Sequence, residues 1–423
     1  MPGPLKNFLP FLVLLFLAVL PAVSGCGSPA NVSWATPSDS ESARTDSGDI
    51  KTAMDTYARA LVDKNQEEFL SVIDAGNPSY KEQQREMFSR LQAVPFSDYK
   101  IEISSQSETA PGTVVVKTSI ASTLQGSFTE LPSGEKAAFL LVKKDDGWKI
   151  SGDATEQAFG RKKNAGLEDF GPVAVLPGDH VIVLYHPSQE ATAVTARSKA
   201  EAAFPQLEKT LPRTELPKVP IRIYDDKQQI DLAYPGQWQD WAGGAARSLG
   251  SNAAQGGEII INSGIYNGTG SESAGYNSTM LSHELTHVAL FPQQGARTPP
   301  FLIEGLADYV AGIQPMSLLR EKLRAGGSFS PQLSDLYEPG GFSALLSTEA
   351  ATIAYEESDT AVVYLEERFG NEKVLALLRE FKRRENDSGN QDRLVDEVFS
   401  SQLGISWGDF ERDWRRYVTG SGQ

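Results

Sequence analysis

The chain has 423 residues, of which 40% are hydrophobic and 22% are charged, a composition typical of a globular protein with room for more than one core. Its formal net charge is −16, and no basic run or basic-aromatic patch interrupts the acidic surplus. These values argue against nucleic acid as a partner and against electrostatic docking on anionic lipid.

Residues 1–25 have the pattern of a secretory signal peptide. Lys6 precedes an apolar stretch, Phe8 to Leu20, which at about 13 residues is too short to span a bilayer comfortably. The stretch ends in Val23-Ser24-Gly25-Cys26, which resembles a bacterial lipobox, in which small residues precede a cysteine that becomes the lipidated N-terminus. Cys26 is the only cysteine, so an internal disulfide is excluded. The alternative is a plain secretory signal with an incidental cysteine.

The lipobox resemblance implies a protein anchored by lipid to the extracytoplasmic face of the cell membrane, because several acyl chains on one residue hold firmly. Residues 26–48 follow it and are rich in Ser, Thr, Asp, Pro and Gly. Such a composition predicts a flexible tether between the membrane and the first domain.

Residues 49–155 predict a small α+β domain. Apolar residues at helical spacing predict one helix from Asp49 to Ile73, and a second runs from about Tyr80 to Leu91. Strand-like runs follow at 99–103, 113–120, 137–142 and 148–150. Helices followed by an antiparallel sheet that ends in Gly-Trp-Lys-Ile resemble the nuclear transport factor 2-like cone. The segment has no histidine and no compelling acid pair, so we interpret it as non-catalytic; a ligand-holding cone is the alternative.

Residues 156–177 predict a linker, and 178–423 a second domain. It opens with a strand at 180–185, a helix at 191–211 and a strand at 220–224, a βαβ-like order. Further helices are predicted from residue 318 onward. We expect the 178–423 fragment to fold alone, since each domain should bury its own apolar faces. His180 and His186 sit at strand ends, where we interpret both as structural or exposed; a metal-binding role is the alternative.

The segment His283-Glu284-Leu285-Thr286-His287 carries the strongest chemical signal. Asn277 and Ser278 can cap a helix there, and Pro292 ends it. Residues four apart lie on one helix face, so His283 and His287 can bind one metal ion. Glu284 leans to the side of that pair, where it can accept a proton from a metal-activated water. The alternative is a surface helix with two stray histidines.

A catalytic zinc site needs a third protein ligand and an open position for water. Residues 299–309 predict a second helix that is entered through prolines. Glu304 is the natural third ligand on it. Asp308 lies one turn further on, where it can hold a ligating histidine by its other ring nitrogen.

His283-Glu-Leu-Thr-His287 followed by Ile303-Glu-Gly-Leu-Ala-Asp-Tyr309 resembles the gluzincin metallopeptidases, the thermolysin and aminopeptidase-like superfamily, and most of all its bacterial peptidase MA-like branch. The resemblance covers roughly residues 178–420. It implies a two-lobed domain, with a mixed sheet lobe followed by a helical lobe, and Zn²⁺ as the cofactor. Together with the first segment, the expected fold class is α+β in two domains.

The resemblance also implies a substrate site. In the superfamily, the strand before the metal helix is an edge strand that pairs with the substrate backbone, which here corresponds to Gly257, Ile259 and Ile260. The alternative is a core strand without substrate contact. The aminopeptidase branch has a glycine-rich motif on this strand, with a glutamate that binds the free amine of the substrate. Glu258 follows two glycines, but the sequence otherwise departs from that motif. This departure favours an endopeptidase. By the match of its helix, Tyr355 is the oxyanion candidate, with a packing role as the alternative.

These observations predict a membrane-anchored, extracytoplasmic zinc metallopeptidase that hydrolyses peptides or proteins, with Glu284 as the general base. The competing hypothesis is a binding or scaffolding lipoprotein that keeps the zinc fold without turnover.

Overall fold

The computed structural model describes residues 41–130, 136–211, 216–238, 242–249, 256–267, 271–313, 318–326, 332–337, 342 and 348–420. The predicted signal peptide, Cys26 and most of the predicted tether lie outside the described residues. Across these ranges, no helix combines the length and the apolar character that a membrane crossing requires.

The first part of the chain places three helices beside an antiparallel sheet. The helices are α1 (Glu41–Val62), α2 (Gln66–Ser71) and α3 (Pro78–Arg90). The strands are β1 (Phe96–Ala110), β2 (Thr113–Leu124), β3 (Thr129–Glu130), β4 (Lys136–Lys144) and β5 (Gly147–Asp153). Their order is β1-β2-β4-β5, and β3 pairs with β2. The first helix therefore begins inside the predicted tether.

The single helix predicted for residues 49–73 is two helices. Lys64 adopts a left-handed φ of 59°, which interrupts the helical path. Asn65 then caps α2 by accepting a hydrogen bond from the backbone N–H of Glu68. The apolar spacing stays in register across the break, which is why the sequence pattern alone does not show it.

The second sheet is mixed and has five strands: β6 (Ala174–Pro177), β7 (Val181–Tyr185), β8 (Val219–Tyr224), β9 (Gly244–Ser248) and β10 (Gly257–Asn262). Their order is β6-β7-β8-β10-β9; β7, β8 and β10 run parallel, while β6 and β9 pair antiparallel at the two sides. Short helices α4 (Thr155–Phe159) and α5 (Leu167–Phe170) precede it, and α6 (Glu190–Thr210) joins β7 to β8. The segment predicted as a linker therefore contains two short helices and the first strand of this sheet.

Two short helices, α7 (Lys227–Ala233) and α8 (Ser263–Tyr266), accompany the sheet, and the rest of the described chain is helical. It comprises α9 (Ser271–Leu290), α10 (Pro300–Ala311), α11 (Leu318–Ala325), α12 (Thr348–Phe369), α13 (Asn371–Arg383), α14 (Gln391–Leu403) and α15 (Trp407–Thr419). The predicted capping role of Asn277 and Ser278 is wrong, because α9 begins at Ser271 and both residues lie inside it. Helix propensity is a weak signal that tertiary contacts override.

Both faces of the second sheet are buried. On one face, Ile259 and Ile261 pack in the same cluster as Leu281 and Leu285 of α9. On the other face, Ile260 and apolar neighbours on β7 and β8 share a cluster with helices and strands of the first part of the chain. The expectation that each domain buries its own apolar faces is therefore wrong. A largely parallel sheet needs cover on both sides, and here the first part of the chain provides one cover.

Candidate metal centre

Helix α9 brings two imidazoles together in the interior. His283 and His287 are one turn apart and almost fully buried, and their Nε2 atoms lie 2.8 Å from each other. One face of α9 is packed on the sheet through Leu281 and Leu285, which fixes the direction in which the histidines point. The structure thus places both predicted histidines at a single point.

Helix α10 supplies a carboxylate to the same point. Glu304 Oε2 lies 3.4 Å from His283 Nε2 and 3.6 Å from His287 Nε2. This oxygen is buried and has no hydrogen-bond partner among the described residues. His283, His287 and Glu304 form a group whose donor atoms lie within 4.8 Å of one another, so the three residues could hold a metal ion.

The donor set fits zinc. Two imidazole nitrogens and one carboxylate oxygen form a known catalytic zinc set, and ligands about 2.0–2.2 Å from a tetrahedral ion are roughly 3.4 Å apart. The two distances to Glu304 match that spacing, while the histidine nitrogens, 2.8 Å apart, would have to separate by roughly 0.6 Å. Burial alone would raise the pKa of Glu304, but the adjacent His287 and His283 bring it to about 2, so the oxygen is an anionic donor.

Asp308 fixes the orientation of one ligand. It lies on α10 one turn after Glu304, and its Oδ1 accepts a hydrogen bond from Nδ1 of His283 at 2.7 Å. A proton held on Nδ1 leaves the Nε2 lone pair of His283 facing Glu304 and His287. The structure therefore joins Asp308 to the cluster in the geometry that the sequence predicts.

Glu284 is buried beside the cluster and outside the group of three donors. Its Oε2 accepts a hydrogen bond from the backbone N–H of Ala246 at 2.6 Å, and its Oε1 has no partner within the described chain. Burial raises the pKa of the Glu284 carboxyl above its usual range, against the lowering effect of the two histidines and of the Ala246 N–H. A buried carboxylate with one uncommitted oxygen is suited to accepting a proton.

A close contact between two helices locks Glu304 in place. A Cβ atom on Gly305 would lie 2.1 Å from the carbonyl oxygen of Ser358, so α10 and α12 touch backbone to backbone. Only glycine permits that approach. The third donor is therefore positioned by contact with α12, and the sequence gives no direct signal of this contact.

The predicted substrate strand is an interior strand. Gly257, Ile259 and Ile260 are buried, and β10 lies between β8 and β9. The expectation that this strand forms the edge is wrong, because β9 follows it in the strand order and covers its outer side. Within the described residues β9 is the outer strand, and Ala246, which holds Glu284, belongs to it.

Sequence reasoning missed β9. Its Gly244-Ala245-Ala246 run has weak strand propensity, so no strand pattern marks it. Packing nevertheless requires a small residue here, because a Cβ on Gly244 would come within 2.4 Å of Met280 Sδ on α9. A run of small residues before the metal helix is therefore the sequence signal that could have indicated a strand packed closely against that helix.

Glu258 lies on the opposite face of the sheet from the metal helix. It alternates with Ile259 along β10, is fully buried, and pairs with Arg222 and Arg247. Its carboxylate consequently belongs to a separate charged cluster.

Tyr355 lies on α12, the helix that contacts α10. Its hydroxyl is buried, and its ring packs edge-to-face on Phe342 with ring centroids 5.3 Å apart. This contact matches the packing alternative, and the oxyanion role stays a prediction.

The other two histidines have contacts of their own: His180 Nδ1 lies 2.7 Å from Glu201, and His186 Nδ1 lies 3.1 Å from the carbonyl oxygen of Pro172.

Comparison with known proteins gives little beyond this geometry. No protein-family model matches the chain, and no curated protein matches it in sequence. Among solved structures, it is similar to a mutant M1 zinc metallopeptidase from Deinococcus radiodurans bound to a Tyr-Ser-Ala substrate, at 13% identity and a TM-score of 0.28. The match covers 77% of this chain and 62% of that chain, so the chain spans less than two thirds of that protein. A TM-score this low supports no inference, and the case for function rests on the site.

Proposed function

We propose that the protein is a zinc-dependent peptidase. The observation that carries the proposal is the convergence of His283, His287 and Glu304 with Glu284 buried beside them. Three donors leave a fourth position for water, and the adjacent carboxylate supplies a base. We further propose that the first domain is nuclear transport factor 2-like and that the second domain is gluzincin-like.

Each residue of the site has a separate role in the proposed reaction. When bound, zinc would lower the pKa of a water molecule and polarise the scissile carbonyl. Glu284 accepts a proton from the attacking water through its uncommitted oxygen and donates it to the leaving amine. Asp308 holds His283 in one tautomer and orientation. Tyr355 remains the candidate for stabilising the oxyanion.

The substrate binds along β9 in this proposal. In the antiparallel pairing with β10, Ala246 directs its N–H away from β10, to Glu284. An extended peptide can add to this side of β9 and pass next to the base. Glu258 lies on the other face of the sheet and is engaged with two arginines, so it does not grip a substrate amine. This placement supports endopeptidase rather than aminopeptidase activity.

Replacing Glu284 with Gln tests the chemistry. Gln cannot accept the proton, so turnover of an internally quenched peptide should fall by about 10²–10⁴-fold while zinc stays near one ion per chain. His287→Ala should lose zinc as well. Glu372→Gln, which changes an exposed carboxylate on α13, is the matched control and should behave as wild type.

Wild-type turnover by the Glu284→Gln protein would refute the mechanism. A wild-type protein that binds zinc tightly yet cleaves no peptide in a broad library would instead favour the scaffolding lipoprotein.

We also propose that the protein is anchored through Cys26 on the extracytoplasmic face of the membrane. The supporting observation is the lipobox-like Val23-Ser24-Gly25-Cys26 at the end of an apolar leader. Cys26→Ser should release the protein from the membrane fraction, or leave its leader uncleaved, because the thioether-linked lipid supplies most of the membrane affinity. Metabolic labelling with a palmitate analogue reads this out, and an unlabelled wild-type protein would refute the anchor.

A further inference from the structure

A pocket lies at the point where helices α10 and α15 end. It has a volume of about 510 Å³, and residues of α11 and α12 complete its lining. It shares no lining residue with the group of His283, His287 and Glu304. A ligand in this pocket would therefore be bound outside the metal centre.

The pocket is lined by a carboxylate that has no partner. Asp359 on α12 is only 2% exposed and belongs to the pocket lining. Neither of its carboxylate oxygens has a hydrogen-bond partner in the described part of the chain. Buried carboxylates are normally paired, because an unpaired one is costly in free energy. Two buried oxygens without partners at a cavity therefore indicate a ligand that donates hydrogen bonds.

The surroundings of Asp359 favour a positively charged ligand. Burial, together with the negative charges of Asp308 and Glu356, raises the pKa of the Asp359 carboxyl to about 8. Helix α10 also ends at the pocket, and the C-terminus of a helix carries partial negative charge. The ionised form of Asp359 would thus be stabilised by a cation bound next to it.

Arg320 is the only cation among the described lining residues, and it already has a partner. Its side chain is exposed, and its Nε donates a hydrogen bond to the carbonyl oxygen of Val418 at 3.1 Å. Arg324 likewise binds the carbonyl oxygen of Thr419. Both arginines therefore cap the C-terminus of α15, where positive charge is favourable. Neither donates a hydrogen bond to Asp359.

The other walls of the pocket suit an apolar body. Val363 lies one turn after Asp359 on α12, and Ile313 follows the end of α10. Tyr309 and Tyr417 also line the pocket, and aromatic rings attract ammonium groups as well as apolar ones. The volume equals that of roughly 17 water molecules at about 30 Å³ each, which leaves room for a ring or a short chain.

We propose that this pocket binds a small organic amine as its ammonium ion, with the ammonium group on Asp359 and the apolar body against Tyr309 and Tyr417. A primary ammonium group has three N–H donors, so it can bond to both oxygens of the carboxylate. The proposal does not depend on the proposed zinc chemistry, because the pocket and the metal centre have no residue in common.

Calorimetric titration of the full-length, zinc-loaded protein with phenethylamine tests the proposal. We expect a Kd of about 1 mM or tighter. Phenethyl alcohol has a similar shape without the charge, and hydrocinnamate reverses the charge, so each should bind at least tenfold more weakly. Amine binding should persist after a chelator removes the zinc. No binding at about 10 mM amine, equal affinity for the amine and the alcohol, or loss of amine binding together with the zinc would overturn the proposal.

Two substitutions separate the charge of the pocket from its shape. Asp359→Asn keeps the size of the side chain and should weaken amine binding by about tenfold or more, while the affinity for phenethyl alcohol stays unchanged. Val363→Phe narrows the pocket and should weaken both ligands. Glu372→Gln, which changes an exposed carboxylate on α13, is the matched control and should bind the amine as wild type does. Wild-type amine affinity in Asp359→Asn, or an equal loss of amine and alcohol binding, would also overturn the proposal.

Discussion

The contact between α10 and α12 makes Gly305 a sensitive position beside the candidate ligand Glu304. A Cβ at residue 305 would stand 2.1 Å from the carbonyl oxygen of Ser358 and 2.5 Å from its carbonyl carbon. Both atoms belong to backbone, so no side chain can rotate away. The two helices would have to separate by roughly 1 Å in an interior that is close-packed.

Gly305→Ala should therefore lower the free energy of unfolding by about 1–3 kcal/mol, the usual range for overpacking, despite the better helix propensity of alanine. At roughly 2–4 °C per kcal/mol, Tm should fall by about 2–12 °C. Glu304 is the adjacent residue, and its displacement should weaken zinc binding by about tenfold or more, because ligand distances tolerate only about 0.2 Å.

Thermal unfolding of chelator-treated protein measures the packing cost alone, and competition with a zinc chelator measures the affinity. Gly408→Ala is the matched control. Gly408 also lies in a helix, α15, but a Cβ there meets nothing within 4 Å. That variant should keep the wild-type Tm or raise it slightly. A Gly305→Ala protein with wild-type Tm and zinc affinity would refute the close helix contact.

Three further predictions follow from the site and the shared core. Ala246→Pro removes the N–H that favours ionised Glu284, so the pKa of Glu284 should rise and the acid limb of the kcat/KM profile should move to higher pH; an unmoved limb would exclude that bond. Asp308→Ala should weaken zinc binding by about 10–100-fold in chelator competition, because His283 Nδ1 loses its acceptor; unchanged affinity would contradict the orienting role of Asp308. A 178–423 fragment should aggregate or bind an apolar dye such as ANS, since it exposes one face of the sheet; a cooperatively folded, dye-free fragment would refute this.

The sequence by itself determined the donor set of the candidate metal centre. A helix fixes the relation between residues three and four apart, so His283, His287 and the pair of Glu304 and Asp308 could be placed on two helix faces from spacing alone. The structure brings the donor atoms of His283, His287 and Glu304 within 4.8 Å of one another and bonds Asp308 to His283. Most strands and helices of both parts of the chain were also predicted, since hydrophobic periodicity is a local property.

Only the tertiary structure decided which strand lies outermost and what covers the sheet. The order β8-β10-β9 puts the strand with the clearest apolar pattern inside and the Gly-Ala-Ala strand beside Glu284. Strand order depends on pairings between distant segments, and residue patterns carry no direct record of them. For the same reason, the sequence did not reveal that Arg222, Arg247 and Glu258 meet on one face, or that the first part of the chain completes the core of the second.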